Sequence, residues 1–165
     1  INIFYSGLGY WLNKKPYLIP RDGKKLDASS YVSLEDILLN LSKLSVLENI
    51  NSITIYLDVK YINFEESIEN YKYPELSKKL CLLASSSSKE TSIEIDDMRH
   101  SVFSYFLMKG LKGDAHGDDK ILEIGELAEY LYKKVPDYTK NLDNGVSQNP
   151  EFIGSDLKRV LIDLR

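Results

Sequence analysis

The sequence holds a single cysteine, Cys81, and only two histidines, His100 and His116, in 165 residues. One thiol excludes an internal disulfide, and no Cys/His set has the spacing of a zinc site. So little cysteine fits a reducing compartment, and a cytoplasmic protein is expected. No run approaches the ~18 apolar residues needed to cross a bilayer, so no membrane partner is expected. Basic residues are also short: 21 Lys and Arg stand against 25 Asp and Glu, for a net charge of −4. Nucleic-acid binding requires clustered basic surface, and the pairs Lys14-Lys15 and Lys24-Lys25 read as solvated loop, so nucleic acid is not an expected partner. The chain has neither an initiator Met nor a signal-peptide pattern, because Ile1 opens directly into a strand pattern. A natural chain that begins further upstream is therefore expected.

What is present is ordinary for a globular domain, with 43% hydrophobic and 28% charged residues. The length suits one domain with a real core. Two stretches stand out. Ile1–Tyr5 and Ile53–Leu57 are apolar runs, and each leads into a polar or glycine-rich stretch, Tyr5-Ser6-Gly7-Leu8-Gly9 and Leu57-Asp58-Val59-Lys60-Tyr61. Both read as buried strands ending in turns, where open α/β sheets place their chemistry. The tips carry Leu8, which cannot move a proton, and Lys60, a poor nucleophile while protonated.

Along the chain, Ile1–Tyr5 reads as a strand and Leu12–Ser30 as irregular loop broken by Pro16, Pro20 and Gly23. Ser33 opens a helix, with Asp36 at capping spacing and Leu34, Ile37, Leu38, Leu41 and Leu44 as its apolar stripe. Ser52–Val59 reads as a strand from the middle of a parallel sheet. Tyr61–Lys79 shows no period and reads as a long loop. Leu80–Ala84 is a third strand, followed by a flexible run Ser85–Ser88. Met98–Leu111 reads as a helix with Val102, Phe103, Phe106, Leu107 and Leu111 inward, closed by Gly110 and Gly113. A further helix carries Ile124, Leu127, Ala128, Leu131 and Val135 and stops at Pro136. Asp137–Asn149 reads as loop, with late strands at Phe152-Ile153 and Val160–Leu164. Alternating strands and helices imply one α/β domain with a largely parallel sheet.

In order, these pieces resemble the caspase-like peptidases of the bacterial caspase/metacaspase type. That family runs from a strand ending Tyr-Ser-Gly-His-Gly to one ending Leu-Asp-Ala-Cys-Phe-Ser-Gly. The chain has Tyr5-Ser6-Gly7-Leu8-Gly9 and Leu57-Asp58-Val59-Lys60-Tyr61 there. The resemblance continues through Ala84-Ser85-Ser86, Ser101–Leu111, Asp114–Ile121, Glu126-Leu127-Ala128-Glu129-Tyr130 and Gln148–Gly154. It implies a caspase-like three-layer sandwich with helices on both faces of a central, mostly parallel sheet. It also implies that the family's first two strands and helices are absent from residues 1–165, which leaves Ile1–Tyr5 as an apolar edge open to a partner protein, an active caspase-like relative or an upstream segment.

The departures decide the expected function. The family's general-base His falls at Leu8 and its nucleophilic Cys at Lys60, and neither replacement can do thiol chemistry. The resemblance thus implies a pseudo-peptidase serving as an interaction, scaffold or regulatory module, with no catalytic residues and no required cofactor. Asp58 corresponds to the acid of the family's basic-residue pocket, and Ser85, Ser86, Ser92 and Glu94 align with its pocket-forming loop. Lys60 lies two residues beyond Asp58, on the same face of a strand, so an ion pair that plugs the relic pocket is one expectation and a solvent-facing Lys60 the other. The competing function is a cysteine endopeptidase cleaving after basic or acidic residues, for which Cys81 with His100 or His116 is the remaining source of chemistry. Cys81 sits in an apolar strand and reads as a core thiol. Asp114, Asp118 and Asp119, near His116, could at most hold calcium weakly, since Asp119 and Gly125 stand where a calcium loop needs Gly and an acid.

Overall fold

In the computed structural model, residues 1–24, 27–63, 71–96, 99–142, 146–163 and 165 are described. A six-stranded mixed sheet forms the centre, in the order β3-β2-β1-β4-β5-β9. Its three middle strands, β1 (Asn2–Leu12), β4 (Ile53–Tyr61) and β5 (Leu80–Ala84), run parallel. The flanking strands β2 (Lys15–Leu18), β3 (Val32–Ser33) and β9 (Glu151–Ile153) are antiparallel to their neighbours.

Residue alternation along the strands builds a core on each face. Ile53, Ile55, Leu57 and Val59 of β4 and Leu80 and Leu82 of β5 pack with Trp11, Leu18 and the buried Leu34 and Leu38 of α1 (Leu34–Ser45). Tyr56, Cys81 and Leu83 point the other way, against α2 (Val102–Lys109) and α3 (Ile124–Thr139). The expected three-layer arrangement is present. Two pairs stand apart from the main sheet: β6 (Glu94–Ile95) with β7 (His100–Ser101), and β8 (Ile121–Glu123) with β10 (Val160–Asp163). The late strand expected at Val160–Leu164 is thus β10, outside the sheet; Leu164 lies outside the described residues, as do Lys25, residues 64–70 of the expected long loop, Met98, and 143–145 of the loop before β9.

Several expectations are corrected. β1 does not end at Tyr5 but runs through both glycines to Leu12. Gly9 is there for close packing: a Cβ would stand 2.5 Å from Val59 Cγ1 and 2.6 Å from Tyr61 Cε1. The loop expected from Leu12 is instead a hairpin, with Asn13 and Lys14 both at positive φ (50° and 62°) as a two-residue turn requires. β4 likewise continues past Leu57 to Tyr61, so Asp58 and Lys60 belong to the ladder and not to a turn. β1 overshoots β4, and Asn63 fills the missing ladder place: Trp11 N–H donates to its Oδ1 and its Nδ2 donates to Trp11 O, each at 2.7 Å.

Ser33 caps α1, accepting from Asp36 N–H, as its spacing implies; Leu44, expected inward, is exposed. α2 begins at Val102 and ends at Lys109, followed by a wider turn over Gly110–Asp114 with Gly113 at φ 128°. α3 does not stop at Pro136: its last turn reaches Thr139, closed by Lys140 N–H donating to Pro136 O. Ser85 and Ser86, expected in a flexible run, are buried.

Candidate functional site

The parallel register of β1 and β4 pairs Ser6 with Asp58 and Leu8 with Lys60. All four side chains leave the sheet on the α2 side, since Ser6 shares its parity with Phe4 and Asp58 with Tyr56, both of which line a groove there. Leu8 and Lys60 are exposed at the end of this pair of strands. The Lys60 ammonium reaches Glu94 Oε2 at 3.5 Å, with both side chains well exposed.

Asp58 is engaged elsewhere. It is buried at 3% exposure, and its oxygens accept from three hydroxyls. Ser92 donates to Oδ1 at 2.5 Å, and Ser101 and Ser104 both donate to Oδ2. Of the two expectations for Lys60, the ion pair with Asp58 is therefore not formed and the ammonium faces solvent: a buried carboxylate needs donors held close, and three serines from two other segments supply them. Ser101 has a second task as the N-cap of α2, accepting from Ser104 N–H at 3.0 Å. Asp58 thus ties β4 to the start of α2 and to the segment before β6. Ser101 and Ser104 were not legible as its donors; their i, i+3 spacing, which puts both on one helix face, was the available signal.

The loop after β5 is built, not slack. Ser85 N–H donates to Leu57 O at 2.8 Å, its Oγ accepts from Val59 N–H, and its C=O accepts from Gln148 Nε2 at 2.8 Å. Gln148 is fully buried and its Oε1 also accepts from Ile93 N–H at 3.0 Å, so one side chain clamps both ends of the loop. Ser86 donates to Glu90 O, and Glu90 in turn accepts from the Asn149 backbone N–H at 2.6 Å and from its side-chain amide. The structure therefore gathers Asp58 and Ser92 into one cluster and ties Ser85 to the flanking residues Leu57 and Val59, while Ser86 bonds within its own loop and Glu94 faces outward with Lys60.

Cys81 is fully buried in β5, with Arg159 Nη1 at 3.2 Å and Thr54 Oγ1 at 3.6 Å from its Sγ. Burial pushes its thiol pKa up, against the smaller opposing effects of Thr54 and Arg159. His100 and His116 do not meet it: His100 is exposed in β7, and His116 lies in a turn where Nδ1 contacts Gly117 O. Asp114 accepts from the Tyr130 hydroxyl at 3.4 Å and Asp119 from Ile121 N–H at 3.1 Å. Among the described residues, no cluster of three His, Cys, Asp or Glu side chains forms a metal site, and no helix is long and apolar enough to cross a membrane.

Beside the Asp58 cluster, an open groove of about 860 Å³ runs between the first half of β1 and α2. Phe4, Tyr56, Leu107, Met108 and Leu111 give it apolar walls, and Glu94, Asp96 and Arg99 add charges of both signs.

Among solved structures, this fold is similar to caspase-1 from Spodoptera frugiperda, with a TM-score of 0.61 and 15% identity over 96% of this chain and 60% of that chain. The fold is caspase-like. The chain spans about 60% of the length of that structure. No protein-family model and no curated protein matches the sequence.

Proposed function

We propose that this domain is a catalytically inactive, metacaspase-type pseudo-peptidase of the bacterial branch, acting in the cytoplasm as a protein-interaction, scaffold or regulatory module. The observation that carries the reading is the Leu8–Lys60 pairing. Sequence motifs alone assign these two residues to the base and nucleophile positions. The strand register, which owes nothing to those motifs, sets them side by side on one face, as a base and nucleophile must stand. An isobutyl group cannot take a proton, and a protonated ammonium has no lone pair with which to attack. The only thiol is folded into the core with its pKa raised, the opposite of what a nucleophilic cysteine requires. Asp58, Ser92 and the Ser85-Ser86 loop then serve as the scaffold of a former pocket, and Glu94 as its rim.

A peptidyl chloromethyl ketone with Arg at its reactive end, and a second with Asp, test the reading. Neither is expected to label the folded protein; stoichiometric labelling of Cys81 would overturn it.

A further inference from the structure

The link from β4 to β5 is pinned at both ends. Near its start, the Asn63 side chain is bonded to the Trp11 backbone. Near its end, Ser77 N–H donates to Ser42 Oγ at 3.2 Å, and its hydroxyl meets that of Ser45, both on α1. Residues 71–76 lie between these pins. Among the described residues, none of their backbone N–H or C=O groups has a hydrogen-bond partner. Their one polar tie is the Tyr71 hydroxyl, which donates to Glu35 Oε1 at 2.8 Å. Otherwise they are held by apolar contact: Tyr71, Tyr73 and Leu76 are partly buried against the core on the α1 face.

The residue that this strap covers is Trp11, the only tryptophan of the chain. It is 1% exposed, and its Nε1–H has no acceptor. Tyr71 packs on it with ring centroids 5.4 Å apart and planes at 76°, and Tyr61 packs on it at 5.1 Å. A buried donor without an acceptor carries a free-energy cost that water removes on opening. Glu35 is not orphaned when Tyr71 leaves, because its Oε2 keeps the Lys15 ammonium at 2.8 Å and its side chain is partly exposed. The strap has no backbone ladder to break. Its opening is therefore opposed by ring contacts and one phenol hydrogen bond, and segments held in this way form the low-stability end of a fold.

We propose that residues 71–76 are a latched strap: they lift from Trp11 and Tyr61 as a local unit about Ser77, with the Tyr71–Glu35 bond as the latch, while the sheet stays folded. Opening hands Trp11 Nε1–H to solvent and uncovers the two rings near the ends of β1 and β4. The device does not depend on the loss of catalysis at Leu8 and Lys60.

A single tryptophan makes the opening readable at one atom, through hydrogen exchange of the Trp11 indole N–H followed by NMR. Its protection factor in the parent protein is expected to be at least a hundredfold below those of the central β4 and β5 amides. Low urea should leave the indole rate unchanged while it speeds exchange in β4 and β5, because a local opening exposes little surface. Tyr71→Phe, which keeps the ring and removes the latch, should speed indole exchange at least fivefold. Lys15→Met, which removes the other partner of Glu35, should change it less than twofold. Indole protection equal to that of β4 and β5, or falling with urea in step with theirs, overturns the proposal, since Trp11 would then be uncovered only by unfolding. Unchanged exchange in Tyr71→Phe also overturns it. Equal acceleration by Lys15→Met overturns it in favour of an opening of the β1–β2 hairpin.

Discussion

Leu8 and Lys60 are register partners across two parallel strands, and their side chains share the α2 face of the sheet. Strand partners lie about 5 Å apart, so an exchange at both positions would bring two new side chains within mutual reach. The double variant Leu8→His with Lys60→Cys is expected to gain a thiol that reacts with iodoacetamide faster than either single variant's new side chain allows. Measured rates from pH 5 to 9 would show the coupling as a shift of the reactive limb to lower pH. Equal rates in Lys60→Cys and the double variant would mean the two positions do not communicate.

The Asp58 cluster makes a strong stability prediction. Hydrogen bonds to a charged acceptor contribute about 1.5–3 kcal/mol each, and a lost acceptor leaves buried hydroxyls unpaired. Asp58→Ala is expected to destabilise by about 3 kcal/mol, seen as a lower urea midpoint at unchanged slope. Ser101→Ala should cost about 1–2 kcal/mol, because it removes both a cluster donor and the α2 cap. In a double-mutant cycle the two should be clearly less than additive.

How much of this was legible depends on which force dominates at each residue. β5 falls where its apolar run lies, and α1 starts just after its cap Ser33, because continuous burial and capping leave local marks in the sequence. The length of β1 is not legible at Gly7 and Gly9, since glycine signals a turn locally, whereas here Gly9 is required by Val59 and Tyr61 on the adjacent strand. The Asn13-Lys14 turn was hidden because it adopts positive φ without glycine. Ser85 and Ser86 look like slack chain until Gln148, far along the sequence, is seen to hold Ser85. Asp58 could be assigned a pocket role from its motif, but its three serine partners are a tertiary fact.

Gly9 offers a check on the corrected strand. Gly9→Ala places a methyl into the space of Val59 and Tyr61, and overpacking of this kind costs about 1–3 kcal/mol. The same change at Gly117, whose nearest contact for a Cβ is Glu126 Oε1 at 3.8 Å, should leave the melting temperature within error.

The exposed Lys60–Glu94 pair is expected to contribute little. Lys60→Met or Glu94→Gln should each shift stability by less than ~1 kcal/mol, with the small effect disappearing in 0.5 M salt.

Cys81 sets an alkaline limit. Its folded pKa lies above the ordinary thiol value, so its contribution to stability is fully present below the unfolded thiol's pKa and is lost as pH rises through the folded one. Relative to Cys81→Ala, the parent should lose stability more steeply as pH rises above the ordinary thiol pKa of about 8.5. Thermal melts at half-unit intervals would reveal this as converging curves.

The most direct test of the account is incubation of the protein with a denatured, terminus-mapped substrate mixture, with and without an alkylating agent, followed by mass-spectrometric search for new peptide ends. The account predicts no new ends after any residue type. New ends after Arg, Lys, Asp or Glu that vanish on alkylation and in Cys81→Ser would contradict it.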